Sequence, residues 1–131
     1  MKAKDLWTSS ALLMALGVML GAFAAHGLKT KVSAYHVDVF QKGVTYQFIH
    51  AAAIMVIAVA FDVLKPKRAR VAVVLFLLGI VFFSGSLYVL GGMGLVPGDG
   101  LLKLVGPVTP IGGLCFIAGW VVLAFSYKGK N

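Results

Sequence analysis

The sequence predicts an all-α, polytopic membrane protein with four transmembrane helices and a short interfacial helix between helices one and two. Of its 131 residues, 60% are hydrophobic and 12% are charged, whereas about a quarter of the residues of a soluble domain carry charge. Four apolar segments each reach the roughly 20 residues that cross a bilayer. The formal net charge of +8 comes from basic residues beside these segments, so it predicts membrane topology rather than nucleic-acid binding.

The predicted spans form a single domain over residues 1–131 and cover about residues 6–25, 44–64, 71–90 and 104–125. The first span contains Gly17 and Gly21, a GxxxG pair that lets another helix approach closely, either within the chain or in a dimer. Between the first two spans, apolar side chains recur at helical spacing on one side, which is typical of a helix in the interface plane. Gly43 is expected to bend the chain from this helix into the second span.

The distribution of lysine and arginine predicts the orientation in a bacterial inner membrane. If all four segments span, one side carries Lys2, Lys4, Lys65, Lys67, Arg68, Arg70, Lys128 and Lys130, and the other carries Lys29, Lys31, Lys42 and Lys103. The positive-inside rule then places both termini and the loop between spans two and three in the cytoplasm. Lys65, Lys67, Arg68 and Arg70 also predict contact with anionic lipid headgroups.

This topology predicts a layer of polar side chains at one depth, near the outer face of the membrane. The candidate residues are His26, Tyr46, Gln47, His50, Ser84, Ser86, Tyr88 and Thr109. Polar side chains are costly in hydrocarbon unless they have partners, so these should face one another or line a small wet cavity. Gln47 and His50, spaced i and i+3, are expected to reach Ser84 or Tyr88. The opposite half of the spans is almost purely apolar, which argues against a continuous pore.

Four short strings occur in order along the chain: GAFAAHGL at 21–28, YQFIH at 46–50, FSGSLY at 83–88, and TPIGG at 109–113 followed by GW at 119–120. Together they resemble the YgdD/YwdK-like family of small bacterial inner-membrane proteins, a domain-of-unknown-function family. The resemblance covers nearly the whole chain and implies a four-helix integral membrane protein. It implies no activity, substrate or cofactor. The connection over residues 91–103 is less typical of the family than the flanking strings.

Several functions are compatible with these observations. We expect a non-enzymatic membrane protein whose polar layer fixes the helices and whose surface contacts lipid, other proteins or further copies of itself. The alternative is small-molecule binding or transport through an outer-facing pocket. A third hypothesis is haem or metal held by His26 and His50, because histidine is the commonest metal ligand.

No cofactor, metal site or catalytic site is predicted. Neither a carboxylate nor a cysteine lies near the two histidines to complete a zinc site. A catalytic histidine would need an orienting group, and no Asp or Glu occurs in the outer halves of the spans. The single cysteine, Cys115, has no disulfide partner and is interpreted as a packing residue.

Overall fold

The computed structural model describes residues 1–95, 103 and 105–129. The predicted start of the fourth span and most of the glycine-rich connection before it lie outside these residues. The described part contains five α-helices: α1 (Ala3–Phe23), α2 (Ala34–Val59), α3 (Pro66–Gly79), α4 (Gly85–Gly92) and α5 (Val108–Ala124).

Two of the helices continue through a widened turn with π-helical hydrogen bonding. α1 extends through Ala24–Leu28, and Ile80–Ser84 joins α3 to α4 without a break. A 3-10 turn over Met93–Leu95 ends the helical rod that contains α3 and α4. Single π turns inside α-helices are rare and often lie at functional sites. One of the two holds His26 and the other holds Ser84, both from the predicted polar layer.

The helices have the lengths and composition of a membrane protein. Three rods are long and apolar enough to cross a bilayer: Ala3–Leu28, Ala34–Val59 and Pro66–Leu95. α5 is also apolar but has 17 residues, which is at the lower limit of about 17 for a transmembrane helix. The prediction of an all-α polytopic membrane protein is confirmed, while a fourth crossing by α5 stays a prediction.

The structure corrects one part of that prediction, because the interfacial helix is not a separate element. Most of its residues form the first turns of α2, which continues through Gly43 without interruption. A Cβ at Gly43 would lie 2.8 Å from the ring of Tyr88 on α4, so this glycine permits a close helix contact. Phe40 is buried beside the same ring, with centroids 4.8 Å apart. The amphipathic pattern thus belongs to a helix that packs one face against its neighbours.

α2 is the central helix of the molecule. Near its start it contributes to an apolar cluster of Ala24, Leu28, Phe40 and Val44. Towards its end it contributes to a larger cluster that includes Leu6, Ile54, Ile57, Val73, Phe76 and Phe116. Gly17 and Gly21 of α1 face α2, and a Cβ at Gly17 would lie 3.0 Å from the Phe48 ring. The GxxxG pair therefore serves packing within the chain.

The connection between α2 and α3 meets the tail that follows α5. The Lys65 N–H donates to the Ser126 carbonyl at 2.7 Å, and the Lys128 N–H donates to the Val63 carbonyl at 3.1 Å. These bonds fasten the tail across the start of α3. The basic end of the molecule is defined by the residues that gather here: Lys65, Lys67, Arg68, Arg70 and Lys128.

Candidate functional site

Gln47 joins three helices with one side chain. It lies on α2 and is 1% exposed, meaning that the rest of the chain covers almost all of it. Its Nε2 donates to the main-chain carbonyl of Leu13 on α1 at 2.7 Å. Its Oε1 accepts a hydrogen bond from the Tyr88 hydroxyl on α4 at 2.8 Å. An amide with both a donor and an acceptor is suited to this bridging position.

His50 lies one turn further along α2 and is 3% exposed. Its Nδ1 lies 2.7 Å from the Tyr46 carbonyl oxygen, and its Nε2 lies 3.1 Å from the indole nitrogen of Trp120 on α5. A carbonyl oxygen only accepts and an indole N–H only donates. Both contacts are satisfied together only by a neutral ring with its proton on Nδ1. The ring also stacks on Phe116, with centroids 3.5 Å apart.

Ser86 and Thr109 connect α4 to α5. Their hydroxyl oxygens lie 2.7 Å apart. The Ser86 hydroxyl also contacts the Phe83 carbonyl oxygen at 2.8 Å, and a carbonyl only accepts. The Thr109 hydroxyl has its own carbonyl contact, to Val105, at a longer 3.5 Å. Because each hydroxyl has one proton to donate and the Phe83 contact is the shorter, Thr109 is assigned as the donor in the pair. These two short side chains therefore satisfy each other between the helices.

Ser84 is completely buried in the π turn between α3 and α4. Within the described residues, its hydroxyl is a buried side-chain polar atom without a hydrogen-bond partner. Its main-chain carbonyl oxygen lies close to α2, because a Cβ at Gly43 would be 3.1 Å from that oxygen. An unpaired buried hydroxyl costs about 1–3 kcal/mol, so Ser84 is a locally unfavourable group in this packing.

A lateral cleft lies beside His50, between α2 and α5. Its volume is about 370 Å³, within the range of roughly 300–1,000 Å³ that is usual for ligand sites. Tyr46 is 40% exposed and its ring packs on Phe83, with centroids 4.6 Å apart. The lining residues are Tyr46, Ile49, His50, Phe83, Gly113, Phe116, Ile117 and Trp120. The cleft is therefore mainly aromatic.

In the described part of the chain, the predicted site residues do not form one connected hydrogen-bonded group, and their common depth in the membrane stays a prediction. Seven of them lie in or beside three separate helix contacts, which are formed by Gln47 with Tyr88, His50 with Trp120, and Ser86 with Thr109. His26 lies in the π turn at the end of α1 with its side chain exposed. It makes no hydrogen bond to the other seven among the described residues. His50 bonds to α5 rather than to Ser84 or Tyr88.

Two partners were missing from the predicted site, the Trp120 side chain and the Leu13 carbonyl. Trp120 has a signal in the sequence, since the GW string is part of the family resemblance. The predicted span over residues 44–64 placed His50 near one end of its helix and Trp120 near the other end of the bundle. Because α2 begins at Ala34, His50 lies past the midpoint of its helix, level with Trp120. A main-chain acceptor such as the Leu13 carbonyl leaves no such signal.

The next feature is the placement of the side chains that could ligate a metal ion or haem. Within the described residues, no three His, Cys, Asp or Glu side chains lie close enough to hold a metal ion. His26 is exposed at the end of α1 whereas His50 is buried, and both ring nitrogens of His50 already have partners. Cys115 lies on α5 as a free, half-buried thiol.

Comparison with known proteins places this arrangement in a family. The family model described as "Protein of unknown function (DUF423)" matches residues 20–113, more than half of the chain. The chain belongs to the DUF423 family. The match includes all eight predicted site residues and ends before Trp120.

Relatives of this DUF423 chain are named as membrane proteins. The UPF0382 membrane protein of Staphylococcus haemolyticus is 40% identical over 116 residues, which cover 88% of each chain. The UPF0382 membrane protein YwdK of Bacillus subtilis is 38% identical over 109 residues, covering 82% of this chain and 83% of its own. A UPF0382 membrane protein of Schizosaccharomyces pombe is 34% identical over 122 residues, which cover 90% of this chain and 97% of its own. No solved structure matches the chain.

These relatives confirm the family resemblance seen in the sequence and identify the chain as an integral membrane protein. Their names assign no reaction, substrate or partner to the DUF423 family.

Proposed function

We propose that this protein is a non-enzymatic integral protein of the bacterial inner membrane, with both termini in the cytoplasm. In this proposal, buried polar side chains hold the helices in register, and the outer surface contacts lipid or other proteins. The observation that carries the proposal is the double contact of Gln47, which bonds to α1 through one end of its amide and to α4 through the other. Both contacts are within the chain and leave the amide buried.

The energies of these bonds favour a structural role. A hydrogen bond between membrane helices contributes about 0.6 kcal/mol on average. Gln47 makes two such bonds, and the pairs of His50 with Trp120 and Ser86 with Thr109 make two more. Together they contribute about 2 kcal/mol. A slip of one helix along its neighbour would break several of them at once, while lipid-facing apolar contacts would hardly change.

The surroundings of His50 favour a role without catalysis. Its Nε2 is occupied by an indole N–H, which cannot accept a proton, and its Nδ1 is held by a main-chain carbonyl. The acidic residues of the described part, Asp5, Asp38 and Asp62, are exposed near the ends of their helices. A carboxylate that could orient His50 for acid–base chemistry is therefore missing from its described neighbours.

The test compares His50→Ala with His26→Ala in the protein purified in mild detergent. We expect His50→Ala to lower the unfolding midpoint, because it removes the contact to Trp120 and leaves a cavity under Phe116. His26 is exposed, so His26→Ala should leave the midpoint unchanged. Mass spectrometry should detect no small molecule other than lipid and detergent. An unchanged midpoint in His50→Ala, with a co-purified compound lost from that variant, would contradict the structural role.

The cleft beside His50 favours a second candidate, the binding of a lipid-soluble aromatic compound that enters from the bilayer. The cleft of about 370 Å³ is lined by the Tyr46, Phe83, Phe116 and Trp120 rings, which suit offset stacking on a flat ligand. The test is Gly113→Leu, because a Cβ at this position is 3.7 Å from the Phe83 ring and a longer side chain would fill the cleft. A bound compound should extract from the wild type and not from Gly113→Leu.

A further inference from the structure

A groove lies at the basic end, between the first turn of α3 and the last turn of α5. Its volume is about 610 Å³, within the roughly 300–1,000 Å³ of ligand sites. The two helices touch further along, where a Cβ at Gly119 would lie 2.6 Å from the Phe76 ring. The groove is lined by Lys67, Arg68, Val71, Val121, Val122 and Phe125. It therefore has a cationic edge at the helix end and an apolar wall below it.

The cationic edge is unusual for the start of a helix. α3 begins at Pro66, and its first turn contains basic residues and no acidic one. The N-terminus of a helix carries the positive end of its dipole, which favours anions and disfavours cations. Lys67 and Arg68 thus add positive charge where the helix is already positive. An anion beside them would relieve this repulsion.

The neighbouring groups leave that charge available. Asp62, on the connection before α3, has an exposed side chain and forms no ion pair within the described residues, where the ion pair present joins Lys42 to Asp38 in α2. The Arg68 guanidinium donates one hydrogen bond to the Phe125 carbonyl. A guanidinium has five N–H donors in a fork that matches phosphate geometry. Arg68 is therefore held at the groove with N–H donors left to bind a ligand.

We propose that one anionic phospholipid docks in this groove. Its phosphate contacts Lys67 and Arg68, and an acyl chain lies between α3 and α5 along Val71 and Val121. This inference deepens the proposed function and rests on its statement that the surface contacts lipid. The charge of the edge matches the anionic headgroup, and the apolar wall directly below it matches the chain. A free phosphate would use the edge and leave the wall unoccupied.

The experiment is native mass spectrometry of the purified protein after incubation with phosphatidylglycerol or phosphatidylcholine. The first probe variant is Lys67→Glu, with Lys31→Glu at the opposite end of the molecule as the matched charge control. Each charge near an anionic headgroup changes affinity by about fivefold, so a reversal should weaken phosphatidylglycerol binding by about 25-fold. Because an anion is favoured in the first turn of a helix, Lys67→Glu should fold at least as stably as the wild type.

The second probe variant is Val121→Trp, which fills the groove without changing charge. Val18→Trp is its control, because Val18 is exposed on α1, away from the groove. We expect phosphatidylglycerol adducts of the wild type, Lys31→Glu and Val18→Trp to survive. The adducts of Lys67→Glu and Val121→Trp should be lost, and phosphatidylcholine should be retained by none.

Four results would overturn the proposal. Equal losses in Lys67→Glu and Lys31→Glu would indicate diffuse electrostatics, and binding that survives in Val121→Trp would indicate a headgroup site alone. Equal retention of phosphatidylcholine would remove the role of charge. A dimer that Val121→Trp dissociates, without bound lipid, would identify a second copy as the occupant. None of these results alters the expected effect of His50→Ala, so the lipid site and the structural role of the polar contacts fail separately.

Discussion

Removing the Tyr88 hydroxyl tests the Gln47 contact directly. Tyr88→Phe deletes the O–H that donates to Gln47 Oε1 at 2.8 Å and keeps the ring beside Phe40. Because Gln47 is 1% exposed, water does not reach the vacated acceptor. Hydrogen bonds between membrane helices contribute about 0.6 kcal/mol on average and up to about 1.7 kcal/mol, and an unpaired buried acceptor costs roughly 1–3 kcal/mol. We therefore expect Tyr88→Phe to lower the free energy of unfolding by about 1–2 kcal/mol.

A double-mutant cycle with Gln47→Leu isolates the contact itself. Unfolding is titrated with sodium dodecyl sulfate in mixed micelles and followed by circular dichroism, and the coupling energy should be about 0.6–1.7 kcal/mol. Tyr35→Phe is the matched control, because Tyr35 is exposed at the start of α2, and it should change stability by less than about 0.5 kcal/mol. A coupling energy of zero, with equal effects of Tyr88→Phe and Tyr35→Phe, would refute the reasoning.

Two further substitutions probe the helix contacts, using the same titration. Gly112→Ala should lower the free energy of unfolding by about 1–3 kcal/mol, because a Cβ there would lie 2.3 Å from the main-chain nitrogen of Phe83. Gly92 is the control. A Cβ there would have nothing within 4 Å, so Gly92→Ala should stabilise α4 by about 0.5–1 kcal/mol. If Gly112→Ala leaves stability unchanged, α5 does not pack as closely against Phe83 as described. Trp120→Phe should cost about 1 kcal/mol by removing the donor to His50. The exposed Trp7→Phe should cost nothing measurable, and equal effects of the two would contradict the His50 contact.

The position of α2 shows what the sequence can and cannot predict. Its apolar second half identifies a membrane helix by hydropathy alone. Its first half carries Asp38 and Lys42, which lower the average and suggested an interfacial segment. These two side chains pair with each other on the exposed surface at 2.8 Å, while Phe40 and Val44 are buried. Average hydropathy does not distinguish a half-buried helix from one that lies in the interface plane.

That difference in the start of α2 changed the predicted depth of the candidate site. Because α2 begins at Ala34 rather than at residue 44, His50 lies ten residues, about 15 Å, further from the start of its helix than predicted. The need of polar side chains for partners is predictable from the cost of burying them. Their partners depend on how each helix is rotated and how deep it lies. For this reason Trp120 could be predicted as a family residue but not as the partner of His50.

The π turn at Ile80–Ser84 gives the third helical rod the character of a helix with one amino acid inserted. Successive residues of a helix are separated by about 100°, so everything after this turn faces about 100° away from where an unbroken α-helix would put it. Deleting a single residue there would restore regular winding and leave Tyr88 facing Gln47, whereas regular winding without a deletion would turn Tyr88 away by about 100°. The widened turn therefore absorbs the extra residue and keeps the Tyr88 hydroxyl directed at α2.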